Sequence, residues 1–144
     1  MALVPRKNIL AIAAVIDVAL NAHNGPVAAK ALCSRHRLPA RHVEPVLQAL
    51  VREGILKGVR GPHGGYELAR EVRQITAEDI LRAAQTIDEG NEEPITGSPV
   101  VSDIVAPVLA EAEHAVSRVL SRTSVADLMT NAARGAKATK GLRH

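Results

Sequence analysis

LPARHVEPVLQALVREGILKGVRGPHGGY, residues 38–66, is the stretch that decides the fold. Pro39 is well placed to open a helix. Val43, Val46, Leu47 and Leu50 then recur at helical spacing and make one apolar face. Arg41, His42, Glu44, Pro45, Gln48 and Arg52 fall on the other face. Pro45 removes a backbone donor and is tolerable only if it sits near the first turn. Gly54 ends the helix in the manner of a left-handed cap. The period changes at once. Ile55–Val59 and Tyr66–Leu68 are short strand-like runs, and Gly61, Pro62, Gly64 and Gly65 lie between them. That is a hairpin with a glycine-rich tip.

Working outward toward the N-terminus, a second helix is expected from Val27 to about His36, followed by the Leu38-Pro39 turn. A first helix is expected from about Lys7 to His23, stopped by Asn24, Gly25 and Pro26. Arg6 and Lys7 ahead of the apolar Ile9–Ile16, with small residues near Ala19 and Ala22, imitate a signal peptide. Asp17 interrupts that run, and Ile9, Ala13, Ile16 and Leu20 recur at helical spacing. This favours an amphipathic core helix.

Toward the C-terminus, Thr76 with Asp79 resembles a capping box that opens a helix over about Ala77–Ile87. Asp88–Gly97 is an acidic loop. Ser98-Pro99 opens a long helix to about Arg122, in which Val101, Val105, Val108, Ala112, Ala115 and Val119 recur at steps of four and three. That spacing is a coiled-coil seam, expected to join two copies of the chain. Ser124 with Asp127 opens a short last helix, which Gly135 is expected to end. The tail from 134 to 144 is basic and expected to be disordered. The organisation is therefore mainly α with a small β-hairpin. A winged helix-turn-helix (1–74) leads through a connecting helix and acidic loop (75–98) to a long dimerisation helix and a short helix (99–133).

Composition narrows the function. Tyr66 is the only aromatic residue of 144, so stacking on unpaired bases is excluded as a binding device. The net charge of +3 is unevenly spread. Residues 1–74 hold eleven Lys/Arg against five Asp/Glu, residues 75–130 three against ten, and residues 131–144 four against none. A basic front half suits a polyanion. Cys33 is the single cysteine, so no intramolecular disulfide is possible and a reducing, cytoplasmic setting is the default. An inert packed thiol is the simpler reading of Cys33. No stretch is long enough to span a bilayer. No nucleophile with its base is evident, so an enzyme is not expected.

The chemistry concentrates in the helix-turn-helix and the wing. A recognition helix must anchor its inner face and present its first turns to base edges in the major groove. Arg41 can pair two-pronged with guanine, Glu44 can accept from the cytosine amino group, and Gln48 can read adenine or touch phosphate. His42 lies in the same turn. Arg60, at the edge of the wing tip, suits a narrow and strongly negative minor groove. Lys57 and His63 complete the expected DNA-contacting set. A phosphate-binding nucleotide loop is the weaker alternative, because no Lys-Ser/Thr follows the glycines and a strand stands where a helix is needed.

Residues 38–66, above all Arg60-Gly-Pro-His-Gly-Gly-Tyr66, resemble the Rrf-two family of bacterial transcriptional regulators. Ile75-Thr-Ala-Glu-Asp-Ile80 and Ser124-Val-Ala-Asp-Leu128 resemble it too, so the likeness covers about residues 7–130. It implies a winged-helix dimer with a long crossing helix, Arg41 and Glu44 in the major groove, and Arg60 in the minor groove. One feature departs from the family. Cluster-binding members carry three closely spaced cysteines between the fourth helix and the long helix, and residues 88–100 contain none. A family-type iron–sulfur cluster is therefore not expected, nor any other cofactor. Asp88, Glu89, Glu92 and Glu93 stand there instead, and a solvated acidic loop is expected rather than a metal site. The expected partners are double-stranded DNA and a second copy of the chain, with no membrane. The expected function is a homodimeric regulator, most simply a repressor, on a pseudo-palindromic operator. Two rivals remain. One is a winged-helix protein-interaction module that binds no DNA. The other is a regulator controlled by a small molecule or partner protein.

Overall fold

The computed structural model describes residues 5–87 and 95–142, with side chains described as far as Arg134. Six helices and one hairpin follow in the order α1 (Arg6–Leu20), α2 (Ala29–His36), α3 (Ala40–Arg52), β1 (Leu56–Val59), β2 (Gly65–Leu68), α4 (Ala77–Gln85), α5 (Ala106–Ser121) and α6 (Val125–Leu142). The carboxylates Asp88, Glu89, Glu92 and Glu93 lie outside the described residues.

α1 is the centre of the fold and packs on α3, α4, α6 and β2. Its buried face is Leu10, Ala11, Ala14, Val15, Val18 and Ala19. This corrects the face expected from sequence, since Ile9 and Leu20 are 50% and 43% exposed. α1 is apolar on nearly every side, so periodicity alone does not choose a stripe. Packing against α3 and α4 chooses it. The helix is also shorter than expected, giving way at Asn21 to a single 3₁₀ turn, Ala22–Asn24.

α3 buries Val43, Val46, Leu47, Ala49 and Leu50. Pro45 sits within it without breaking it, exposed, where its missing N–H costs one bond near the first turns. At the end, Gly54 adopts φ +73°. The Gly54 N–H donates to the Val51 carbonyl and the Ile55 N–H to Leu50, both within 3.0 Å. This pair of bonds closes the helix and drops the buried Ile55 beside Leu50 in the core.

β1 and β2 pair antiparallel, Leu56 opposite Leu68 and Val59 opposite Gly65. Val27 adds a third rung, exchanging two hydrogen bonds of 2.9 and 2.8 Å with Tyr66. Val27 is therefore extended rather than helical, and α2 starts two residues later than expected. A Cβ at Gly65 would lie 2.3 Å from the Val27 carbonyl oxygen, so only glycine allows this approach.

Both expected capping boxes are present. Thr76 and Asp79 exchange bonds of 3.0 and 3.1 Å, and Ser124 and Asp127 bonds of 3.1 and 3.0 Å. The two caps also lie against each other. The Ala77 N–H donates to the Thr123 carbonyl and the Val125 N–H to Ile75, so α6 docks where α4 begins. α6 does not end at Gly135 but runs to Leu142. The helix thus occupies most of the tail expected to be disordered. Ala132, Ala133, Ala136 and Ala138 favour the helix, and one interior glycine costs only about 1 kcal/mol.

The long helix starts at Pro99, capped by the Ser98 hydroxyl, which accepts from the Val101 N–H at 3.4 Å. Residues Val101–Val105 wind as a π turn before α5 begins. Pro107 carries no N–H and its ring crowds the Asp103 carbonyl, which widens the turn before it. The π turn therefore offsets Val101 from the four-and-three spacing of Val105, Val108, Ala112, Ala115 and Val119.

Candidate nucleic-acid interface

α3 offers an outward ridge. Arg41, Glu44, Pro45 and Gln48 are all exposed and recur at helical spacing, while the opposite face is locked into the core. His42 is placed differently. It is half-buried and turned toward α1, where an Arg6 guanidinium nitrogen lies 3.1 Å from its Nε2. Glu44 borders a separate groove along α2 together with Lys30, Cys33 and Ser34.

The wing stands beside that ridge. Lys57, Arg60 and His63 are exposed on β1 and at its tip. The tip closes through a bond of 3.0 Å from the Gly64 N–H to the Gly61 carbonyl, and Gly61 adopts φ +119°. A Cβ at Gly64 would meet the Val59 carbonyl oxygen at 2.2 Å. These two glycines let the chain reverse within a few residues and hold Arg60 at the turn. Among the described residues, the ion pairs involve Arg35, His36, Arg70 and Arg82, none of them a cation of the ridge or wing.

The site has a support that sequence reading missed. Asp17, the residue that interrupts the apolar run of α1, is only 2% exposed at its side chain. Arg35 donates to its carboxylate with Nε and Nη2 at 2.9 and 2.8 Å, and His36 Nε2 lies at 2.6 Å. Burial pushes the Asp17 carboxyl up, but the hydrogen bonds from Arg35 and His36 together outweigh it. The group is held below its ordinary value. The clamp ties the last turn of α2 to α1, just before Arg37 turns left-handed at φ 54° and leads into α3. An aspartate in an apolar stretch was the available signal, because a buried carboxylate needs partners.

The seam residues fall on a helix that no other described element buries. α5 has no buried residue. Val105, Val108, Ala112 and Val119 are exposed, while Val101 and Ala115 are half-buried. Ile104 and Leu109, at 61% and 58% exposed, widen the apolar stripe. Cys33 is buried in the core cluster. Among the described residues, no three His, Cys, Asp or Glu side chains are grouped as metal ligands, and no helix is long and apolar enough to cross a membrane.

Residues 5–131 match the model of the family Rrf2, described as "Iron-dependent Transcriptional regulator". A putative HTH-type transcriptional regulator of Haemophilus influenzae is 38% identical over 77 residues, which are 54% of this chain and 51% of that protein. The chain thus spans about half the length of that relative. Among solved structures, IscR of T. potens superposes with a TM-score of 0.70 at 29% identity, covering 90% of this chain and 87% of that one. CymR, the global cysteine regulator of B. subtilis, gives 0.71 at 26%, covering 91% and 98%. The wing motif, the two capping boxes and the long helix thus all fall within a match that takes in nearly the whole chain, and the chain belongs to the Rrf2 family of transcriptional regulators.

Proposed function

We propose that this protein is a sequence-specific DNA-binding regulator that acts as a homodimer on a pseudo-palindromic operator, in the cytoplasm, and most simply represses. The observation that carries the reading is the exposed ridge of Arg41, Glu44 and Gln48 on a helix anchored from behind, with Arg60 held at a tight wing beside it. The ridge has the donors and acceptors needed to read bases, and the wing brings a cation to the neighbouring groove. Lys57 and His63 lie along the wing as phosphate contacts. Dimerisation through α5 is supported by its uncovered apolar stripe, which a second copy would bury. Twofold symmetry then sets two recognition helices about one DNA turn apart.

The family's iron dependence does not carry over as a thiolate-held cluster. Cys33 is the only cysteine in the sequence and is packed in the core, and residues 88–100 supply none. The donor set does not fit such a group.

The test is binding to genomic DNA fragments over a range of salt, with Arg60→Ala and Glu44→Ala beside the wild type. Selective binding that falls steeply with salt is expected. Glu44→Ala should relax base preference, and Arg60→Ala should weaken binding by roughly tenfold. A wild type that prefers no fragment at any salt would give the lead to a protein-interaction module.

A further inference from the structure

A cleft of about 180 Å³ opens where the first turns of α1 and α3 meet the end of the α4 segment. Half of its lining is basic: Arg6, Lys7, Arg41 and His42. The rest is apolar, Leu10 and Val46 among it, and among the described residues no carboxylate lines it. Arg6 is not loose in this cleft, since its guanidinium sits 3.1 Å from His42 Nε2. The groove on the other side of α3 differs, being lined by Lys30 and Glu44, one charge of each sign. The two flanks of the recognition helix are therefore electrostatically unequal.

We infer that this cleft seats one backbone phosphate of the bound DNA, with Arg6 and Lys7 as its ligands. The inference rests on the DNA-binding reading above and extends it to a surface outside the helix-turn-helix and the wing. Three reasons converge. Concentrated positive charge on an apolar support is an anion seat, and arginine's planar fork matches a phosphodiester. The cleft borders Arg41, the first exposed residue of the ridge, and a helix lying in the major groove has a phosphate strand along each flank. The apolar lining keeps the cations from being fully dispersed into solvent. Arg6 and Lys7 thus fix register on the duplex while Arg41, Glu44 and Gln48 read it. His42, drawn toward Arg6, belongs to the phosphate side and not to base readout.

The experiment measures binding of full-length wild type, Arg6→Ala and Arg6→Ala/Lys7→Ala to the preferred fragment and to an unrelated one, as salt is raised. Arg6→Ala should weaken both by the same factor, roughly tenfold. It should lower the slope of log affinity against log salt by about 0.9, and leave the ratio between fragments unchanged. The double variant should lose more of both. Melting temperatures should match, since Arg6 is exposed. Variants that bind like wild type with an unaltered slope overturn this inference and leave the DNA-binding reading standing. A changed ratio also overturns it, because Arg6 would then read bases. Inorganic phosphate that raises the melting temperature of wild type but not of Arg6→Ala, with DNA affinity unaltered, would assign the cleft to a free anion instead. A wild type that binds neither fragment overturns both readings.

Discussion

α1 and α5 are similar helices in length and apolar content, yet they end in opposite environments. α1 spans 15 residues, has eight of them buried, and packs on α3, α4, α6 and β2. α5 spans 16 residues and buries none. Among the described residues, all the buried apolar side chains lie between Leu10 and Ala84, with one exception, Val125, where α6 returns to dock. The front half therefore has a core of its own, and the back half carries an apolar face that no other described element buries. Helix content alone does not distinguish the two; the presence or absence of a facing surface does.

The sharpest way to break this comparison is to apply similar damage to both halves. Leu47→Ala, at a side chain with no exposure, should cost about 2–5 kcal/mol in denaturant unfolding. Val108→Asp should change that unfolding by no more than about 0.5 kcal/mol at a concentration where the chain is monomeric. The same change should shift the chain from dimer toward monomer in sedimentation. If Val108→Asp destabilised the monomer as Leu47→Ala does, α5 would be covered within the chain, and the contrast would fall.

A smaller effect is expected at the charged anchor of α1. Asp17→Asn keeps the shape but weakens the clamp on Arg35 and His36. Those partners are 40% and 43% exposed and can take up water, so the loss should be on the order of 1–3 kcal/mol. Its pH dependence has a definite sign. The carboxyl is depressed in the folded protein, so its contribution is complete above the ordinary value of 3.8 and is lost as pH falls through the lower folded value. Wild type and Asp17→Asn should therefore differ fully at pH 7 and converge only below 3.8. A difference that vanished well above pH 3.8 would mean that the Asp17 carboxylate is not what holds the clamp.

The smallest effect should come from the join between the halves. Thr76→Ala removes the hydroxyl that caps α4, and about 1 kcal/mol of stability should go with it. Because the bridge to Ser124 uses backbone groups, α6 should stay docked, as amide exchange at Val125 would report. Loss of that protection would show that the cap and the docking are one unit.

Much of this was legible in the sequence because it is local. α3, its glycine stop, the wing and both capping boxes each depend on residues within a few positions of one another. Propensity, hydrogen-bonding chemistry and glycine's access to positive φ decide such features wherever the chain goes. The exposed ridge of α3 followed from the buried face opposite it. The winged-helix order of elements followed from the change of period at Gly54.

What tertiary structure alone decided is the set of choices made across long separations. Which stripe of α1 faces inward depended on where α3 and α4 pack, so Leu10 is buried and Ile9 is not. Asp17 found its partners 18 and 19 residues away, and Arg6 met His42 36 residues on. Val27 left the helix for Tyr66 because the wing offered its backbone two hydrogen bonds. These outcomes come from surfaces brought together by burial, and no local preference encodes which surfaces will meet.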